Sequence, residues 1–177
     1  MTDAQHPRRA QGFRVLRTAV SLVLRNLLFT VVVPGSGAVY VPWWILTRGH
    51  RTPKPVEWVA VALIAAGAGL YLSCVWVFAV VGRGTPGPWD APRRIVAVGP
   101  YRWVRNPIYL AALLVVLGEA WLFLSLRLLE YAVAMAILFH LFVIGYEEPT
   151  LHRRFGEAHA EYLRTVPRWI PRRPRRG

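Results

Sequence analysis

Residues 56–81 read VEWVAVALIAAGAGLYLSCVWVFAVV, and this stretch decides the fold. After Glu57 it holds no charged side chain, and every residue but Ser73 is apolar or glycine. At about 1.5 Å of rise per residue a helix of this length exceeds the roughly 30 Å hydrocarbon core of a bilayer, so it predicts a transmembrane helix with room to tilt. Its small residues Ala62, Ala66, Gly67 and Gly69 predict close approach of a second helix. The whole chain agrees: 55% of its residues are hydrophobic, against roughly 45–50% apolar in soluble domains, and its mean hydropathy is +0.34.

Working outward gives an all-α integral membrane protein of about four transmembrane helices. Upstream, residues 1–17 form a basic stretch, and 18–46 form a first apolar region. Pro34-Gly35-Ser36-Gly37 predicts a kink or break there, leaving one broken span or two short segments. Arg25 interrupts that region and no A-x-A site follows, which argues against a signal peptide. Trp43 and Trp44 fit an interfacial aromatic belt. Downstream, 82–106 is a loop rich in Pro, Gly and Arg. The apolar block 108–145 is too long for one span, and Ser125, Arg127 and Glu130 mark the turn of a helical hairpin. Pro107 suits the first turn of its first helix, where a missing N–H costs nothing; the second helix is expected to end near Glu147. A short amphipathic stretch follows near 150–163. The organisation is one membrane domain, 1–177, with N-terminal spans to residue 81, a core over 82–171 and a basic tail at 172–177.

The formal net charge of +13 would point to nucleic acid in a soluble protein. Here the basic residues lie between apolar runs, which fits a membrane protein with basic loops and no nucleic-acid partner. Arg83, Arg93, Arg94, Arg102 and Arg105 occupy the 82–106 loop, and eight arginines follow residue 150. The opposite side carries only Arg48, Arg51, Lys54 and Arg127. The positive-inside rule therefore places this loop and both termini in the cytoplasm, in a multi-pass protein of the cytoplasmic (inner) membrane. The tail PRWIPRRPRRG is expected to lie on anionic headgroups.

The hairpin returns its two ends to one surface. It thereby brings GPYRWVRNPIYLA, residues 99–111, close to YEEP, residues 146–149. Polar groups at membrane depth line a cavity or pair with one another. Glu147 and Glu148 are two of only nine acidic residues, against 22 basic ones. Carboxylates at a helix C-terminus oppose its dipole, so Arg102, Arg105 or a cationic ligand is expected beside them. His140 lies seven residues before Glu147 on the same helical face, where it either meets an acceptor molecule or packs against a neighbouring helix. Arg105, Glu148 and His140 are thus candidate catalytic residues. Gly82 to Gly87 matches G-x-G-x-x-G, but it follows a membrane helix and Pro86 and Pro88 block the helix a dinucleotide site needs. Cys74 reads as a small packing residue. No metal-ligand pattern and no nucleophile motif is present.

GPYRWVRNPIYLA, the upstream GTPGPWDAPRRIVAVGPY and the downstream EEPTLHRRFGEAHAEYLRTVPRWIP together resemble the isoprenylcysteine carboxyl methyltransferase family, especially its small bacterial members. The likeness covers about residues 82–171; the N-terminal half resembles the family only in hydropathy. The resemblance implies a membrane methyltransferase that uses S-adenosylmethionine bound at the cytoplasmic helix ends beneath the C-terminal segment, with a lipophilic acceptor entering from the bilayer. Carried over by motif, the cofactor wall comprises Arg93, Arg94, Ile95, Val96, Tyr101, Asn106, Pro107, Ile108, Tyr109 and Glu147. The chemistry of the residues is consistent with this. Glu147 or Glu148 can accept from the donor's ammonium, Arg105 or Asn106 can donate to its carboxylate, and Tyr101 and Tyr109 can stack on adenine or face the sulfonium. Two positions depart from the family. Asn106 stands where the eukaryotic enzymes carry histidine, and Val143 stands where they place an arginine for the acceptor carboxylate. The acceptor group is thereby open among carboxylate, amine, thiol and hydroxyl, the last three fitting an apolar wall at least as well as the first. The rival readings are an NAD(P)H-dependent membrane reductase of related architecture and a non-catalytic lipid-binding or scaffold protein.

Overall fold

A computed structural model describes residues 24, 28, 30–32, 34–48, 57–82 and 95–173. The basic N-terminal stretch, the Pro- and Gly-rich stretch 83–92, and Arg93 and Arg94 lie outside the described residues. All regular structure among the described residues is helical. Three helices are long and apolar enough to cross a membrane: α1 (Thr30–Thr47), α2 (Trp58–Val80) and a third beginning at Leu126. Between them lies a shorter apolar helix, α3 (Pro107–Leu122). The third long helix comprises α4 (Leu126–Phe142), a π-turn over Val143–Glu147 and α5 (Glu148–Phe155). A final helix, α6 (Glu157–Thr165), turns away at Gly156. That corner has φ of +52°, a conformation that favours glycine.

At Pro34–Gly37, where a kink or break was expected, the region does not split into two segments. Gly35 is helical, and the chain passes into a π-turn over Ser36–Tyr40 before α-helix resumes. A π-turn inserts one extra residue per turn and absorbs a local misfit without ending the helix. The region thus forms one helix over 30–47. Its Gly37 carbonyl accepts a bond from the Tyr131 hydroxyl at 2.8 Å, tying α1 to α4. Trp43 and Trp44 are exposed, and the Arg48 guanidinium sits 4.1 Å above the Trp44 ring.

The tightest pairing is α2 against α3. Ala60, Gly67 and Cys74 are buried on α2, spaced by seven, as are Ala111 and Gly118 on α3. A Cβ on Gly67 would fall 2.7 Å from the Ala111 carbonyl oxygen, and one on Gly118 would fall 2.9 Å from that of Ala60. Of the four small residues singled out in the sequence, Gly67 alone lies on this seam; Ala62, Ala66 and Gly69 are exposed. Cys74 is a fully buried free thiol within the seam.

The hairpin turns where the polar residues mark it. Ser125 caps α4, its hydroxyl accepting from the Leu128 N–H at 3.3 Å. Pro107 opens α3. With 16 residues, α3 spans only about 24 Å, less than the roughly 30 Å of hydrocarbon it faces.

Candidate functional site

The corner is built from local rules. Gly99, at φ +56°, starts a 3-10 turn over Gly99–Arg102, and Asn106 then stands as the N-cap residue of α3. Tyr101 is drawn inward against Cys74, Phe78 and Val96. Its ring meets Phe78 edge-on at 5.4 Å. Burial pushes its phenol well above the usual tyrosine range, so it stays a neutral hydroxyl.

The opposite wall comes from the π-turn over Val143–Glu147. The helix was expected to end near Glu147, but it continues through the doublet into α5. The wide turn ends two residues before Pro149, and its looser bonding accommodates the missing proline N–H within the continuous helix. Glu148 follows the π-turn within the continuous helix.

The two adjacent acids part company. Glu147 accepts from the Tyr109 hydroxyl at 2.7 Å and faces a cavity. Glu148 is held by two arginines: Arg105 Nη1 at 2.7 Å, and a fork from Arg168 with Nε at 2.9 Å and Nη2 at 2.8 Å. Burial lowers the Arg105 guanidinium from its ordinary value, and Glu148 opposes that shift. The bonds to Glu148 raise Arg168. Both remain cations at any neutral pH.

A C-terminal strap, residues 166–173, laces over the corner. The Arg105 N–H donates to the Pro167 carbonyl at 2.9 Å and the Arg172 N–H to that of Trp103 at 3.0 Å. Arg105 Nε donates to the Val166 carbonyl at 2.7 Å, and Asn106 Nδ2 to that of Arg168 at 3.2 Å. The Tyr162 hydroxyl on α6 donates to the Tyr101 carbonyl at 2.8 Å.

The cavity between corner and doublet measures about 570 Å³. Its polar end carries Tyr101, Arg105, Asn106, Tyr109 and Glu147; Pro107 and Ile108 also line it. The rest of its lining is largely apolar, with Ala38 of α1, Phe78 of α2, and Met135, Leu138, Phe139 and Phe142 of α4. Tyr131 adds the one hydroxyl there, bonded to α1.

Seven of the residues expected at the site thus share one cavity. Glu148 is drawn instead into the arginine pairs behind it. Val96 is buried against Tyr101, with Ile95 half-buried beside it. Arg93 and Arg94 lie outside the described residues. His140 is exposed and accepts a bond at 3.1 Å from Trp169 Nε1, docking the strap on α4. Sequence reasoning missed Arg168, which it had counted as a tail charge, and the cavity's aromatic wall at Phe78, Phe139 and Tyr131. A surplus of arginines against one acidic pair was the only signal for Arg168. Among the described residues no group of three or more His, Cys, Asp or Glu is placed to hold a metal ion.

A polar corner thus faces a carboxylate at the end of apolar helices, with a largely apolar cavity between them. Residues 56–158 match the family described as phospholipid methyltransferase. That match spans more than half of the chain, which therefore belongs to this family of membrane methyltransferases. It begins at α2, upstream of where the sequence resemblance was placed, so the α2–α3 seam belongs to the shared core. No curated protein and no solved structure gives a significant match to the chain.

Proposed function

We propose that this protein transfers a methyl group from S-adenosylmethionine to a small lipophilic or lipid-linked acceptor at the cytoplasmic face of the inner membrane. The observation that carries the reading is the pairing of Glu147 with Tyr109 on one cavity with Arg105 and Asn106. The residues present fit such a donor. The cavity volume of about 570 Å³ lies within the range of roughly 300–1,000 Å³ common for small-molecule sites. Glu147 is the carboxylate placed to accept from an ammonium, since Glu148 is held by two arginines. Arg105 and Asn106 are placed to donate to a carboxylate, and the Tyr101 and Tyr109 rings offer π faces to a sulfonium. When bound, the donor supplies a methyl group already activated by its sulfonium leaving group. The work left to the chain is orientation and exclusion of water. The apolar wall from Phe78 to Phe142 performs the second task.

Phe142 lines the acceptor end, and Val143 is fully buried beside it. Among the described residues Arg105 is the one cation lining the cavity, and with Arg105 assigned to the donor's carboxylate the apolar wall favours an amine, thiol or hydroxyl acceptor over a second carboxylate. Titrating the detergent-purified protein with S-adenosylmethionine by calorimetry tests the donor. Binding is expected for the wild type and its loss in Glu147→Ala, Tyr101→Ala and Asn106→Ala. Undiminished affinity in all three removes the assignment. Mass spectrometry of host lipids with and without the protein, searched for a difference of one CH₂, identifies the acceptor.

A further inference from the structure

The joint between corner and strap carries a surface that methyl transfer does not use. Trp103 is 45% exposed and Ile170 is 76% exposed, with Val98 also exposed nearby in the chain. Arg102, Arg172 and Arg173 are exposed as well. The Arg172 N–H bond to the Trp103 carbonyl fixes the two segments side by side. Trp103 stands four residues before the start of α3, at the level where the apolar helix begins. An indole and an isoleucine left bare would be unfavourable facing water, and they suit the headgroup boundary of a bilayer. Three arginines beside them complement anionic lipid phosphates.

We propose that this joint is a docking surface for the anionic headgroups of the surrounding leaflet, and that bound lipid fastens the strap to the corner. The apolar pair seats the joint at the interface, and the arginines select lipid charge. The consequence reaches the cavity, because the strap carbonyls of Val166, Pro167 and Arg168 hold Arg105 and Asn106 in place. Lipid composition thus sets how firmly two cavity-lining residues are fixed. The inference does not depend on the identity of the methyl donor.

Amide hydrogen exchange on the full chain in lipid nanodiscs tests it. Discs of phosphatidylcholine are compared with discs containing phosphatidylglycerol, reading peptides that cover 99–106 and 166–173. The amides of Arg105 and Arg172 are expected to exchange about tenfold or more slowly in the anionic discs. High salt should erase the difference, and inorganic phosphate added to phosphatidylcholine discs should not reproduce it. The triple variant Arg102→Gln, Arg172→Gln, Arg173→Gln should lose the protection, whereas Arg164→Gln, whose side chain pairs with Glu157 and Glu161, should keep it. Equal exchange of the wild-type protein in the two disc types overturns the proposal, as does protection that survives in the triple variant. The wild-type comparison stands even where the variant fails to fold.

Discussion

Glu147 and Glu148 are neighbours with opposite environments, and the same substitution at each should have opposite consequences. Glu148→Gln keeps the shape and removes the charge that receives three guanidinium bonds, at 2.7, 2.9 and 2.8 Å. Breaking a fully buried ion pair costs about 3–5 kcal/mol. Here the side chains are 15% (Arg105), 33% (Arg168) and 17% (Glu148) exposed. Solvent screening, and the amide oxygen that still accepts, reduce the cost to about 2 kcal/mol. For a chain of this length that lowers Tm by about 4–8 °C. Glu147→Gln keeps an amide oxygen that can accept from Tyr109 and removes a charge that no guanidinium bonds among the described residues. Tm should therefore move by less than about 2 °C. Its effect appears on binding: losing a charge-assisted bond to the donor's ammonium, about 1.5–3 kcal/mol, weakens affinity about ten- to hundredfold. Tryptophan-fluorescence melting and calorimetric titration in one detergent read both quantities. Full affinity in Glu147→Gln, or an unchanged Tm in Glu148→Gln, refutes this division of roles.

Gly118→Ala should destabilise, because the new methyl falls 2.6 Å from Ile64 Cγ1 and 2.9 Å from the Ala60 carbonyl. A backbone oxygen cannot yield as a side chain does, so an overpacking cost of about 1–3 kcal/mol outweighs the gain in helix propensity; thermal melting reads it. Ser125→Ala removes the cap of α4 and should cost about 1 kcal/mol by the same assay. His159 is buried with Nδ1 unpartnered. Burial holds its pKa below the ordinary 6.5, with Glu148 pulling upward and His152 and Arg105 pushing down. The unfolded chain thus binds the proton more readily, so stability is full above 6.5 and falls as pH drops through 6.5 toward the lowered folded value. Tm recorded from about pH 7 to about pH 5 should fall less steeply in His159→Gln than in the wild type; identical slopes refute the assignment.

What the sequence made legible was governed by length and by position along the chain. The α2 span, the cut at Ser125 and the start at Pro107 all follow from hydropathy and from caps that act within one helical turn. The meeting of the 99–111 and 146–149 stretches followed from one topological fact, that a hairpin returns to its starting surface. Two features were out of reach of such rules. The Pro34–Gly37 stretch left one broken span or two short segments open, and a π-turn carries a single helix through it, bonded to α4 by Tyr131. The doublet looked like a helix end, yet a second π-turn carries the chain on into α5. Both of these π-turns contribute residues to the cavity, Gly37 and Ala38 from one and Glu147 from the other, and a third, over Phe78–Gly82, contributes Phe78.

The fate of Glu148 was invisible for a different reason. Its partner Arg168 lies 20 residues downstream, beyond two helices and the Gly156 corner, and nothing local announces the contact. Charge balance alone supplies the logic. A lone carboxylate facing the cavity is useful to a cationic ligand only if its neighbour does not add a second negative charge to the same space. Pairing Glu148 with two arginines neutralises that neighbour and, through the Arg168 carbonyl, orients Asn106 toward the same cavity. The strap is therefore part of the site's electrostatics as well as its cover. Removing residues 166–173 should accordingly raise the exposure of Glu148 and weaken donor binding even though no strap side chain lines the cavity. Calorimetric titration of a chain ending at Thr165, checked for helicity by circular dichroism, reads the effect. Full affinity in a folded truncated chain would mean that Glu147 and Tyr109 suffice without the strap, and that the arginine pairs serve stability alone.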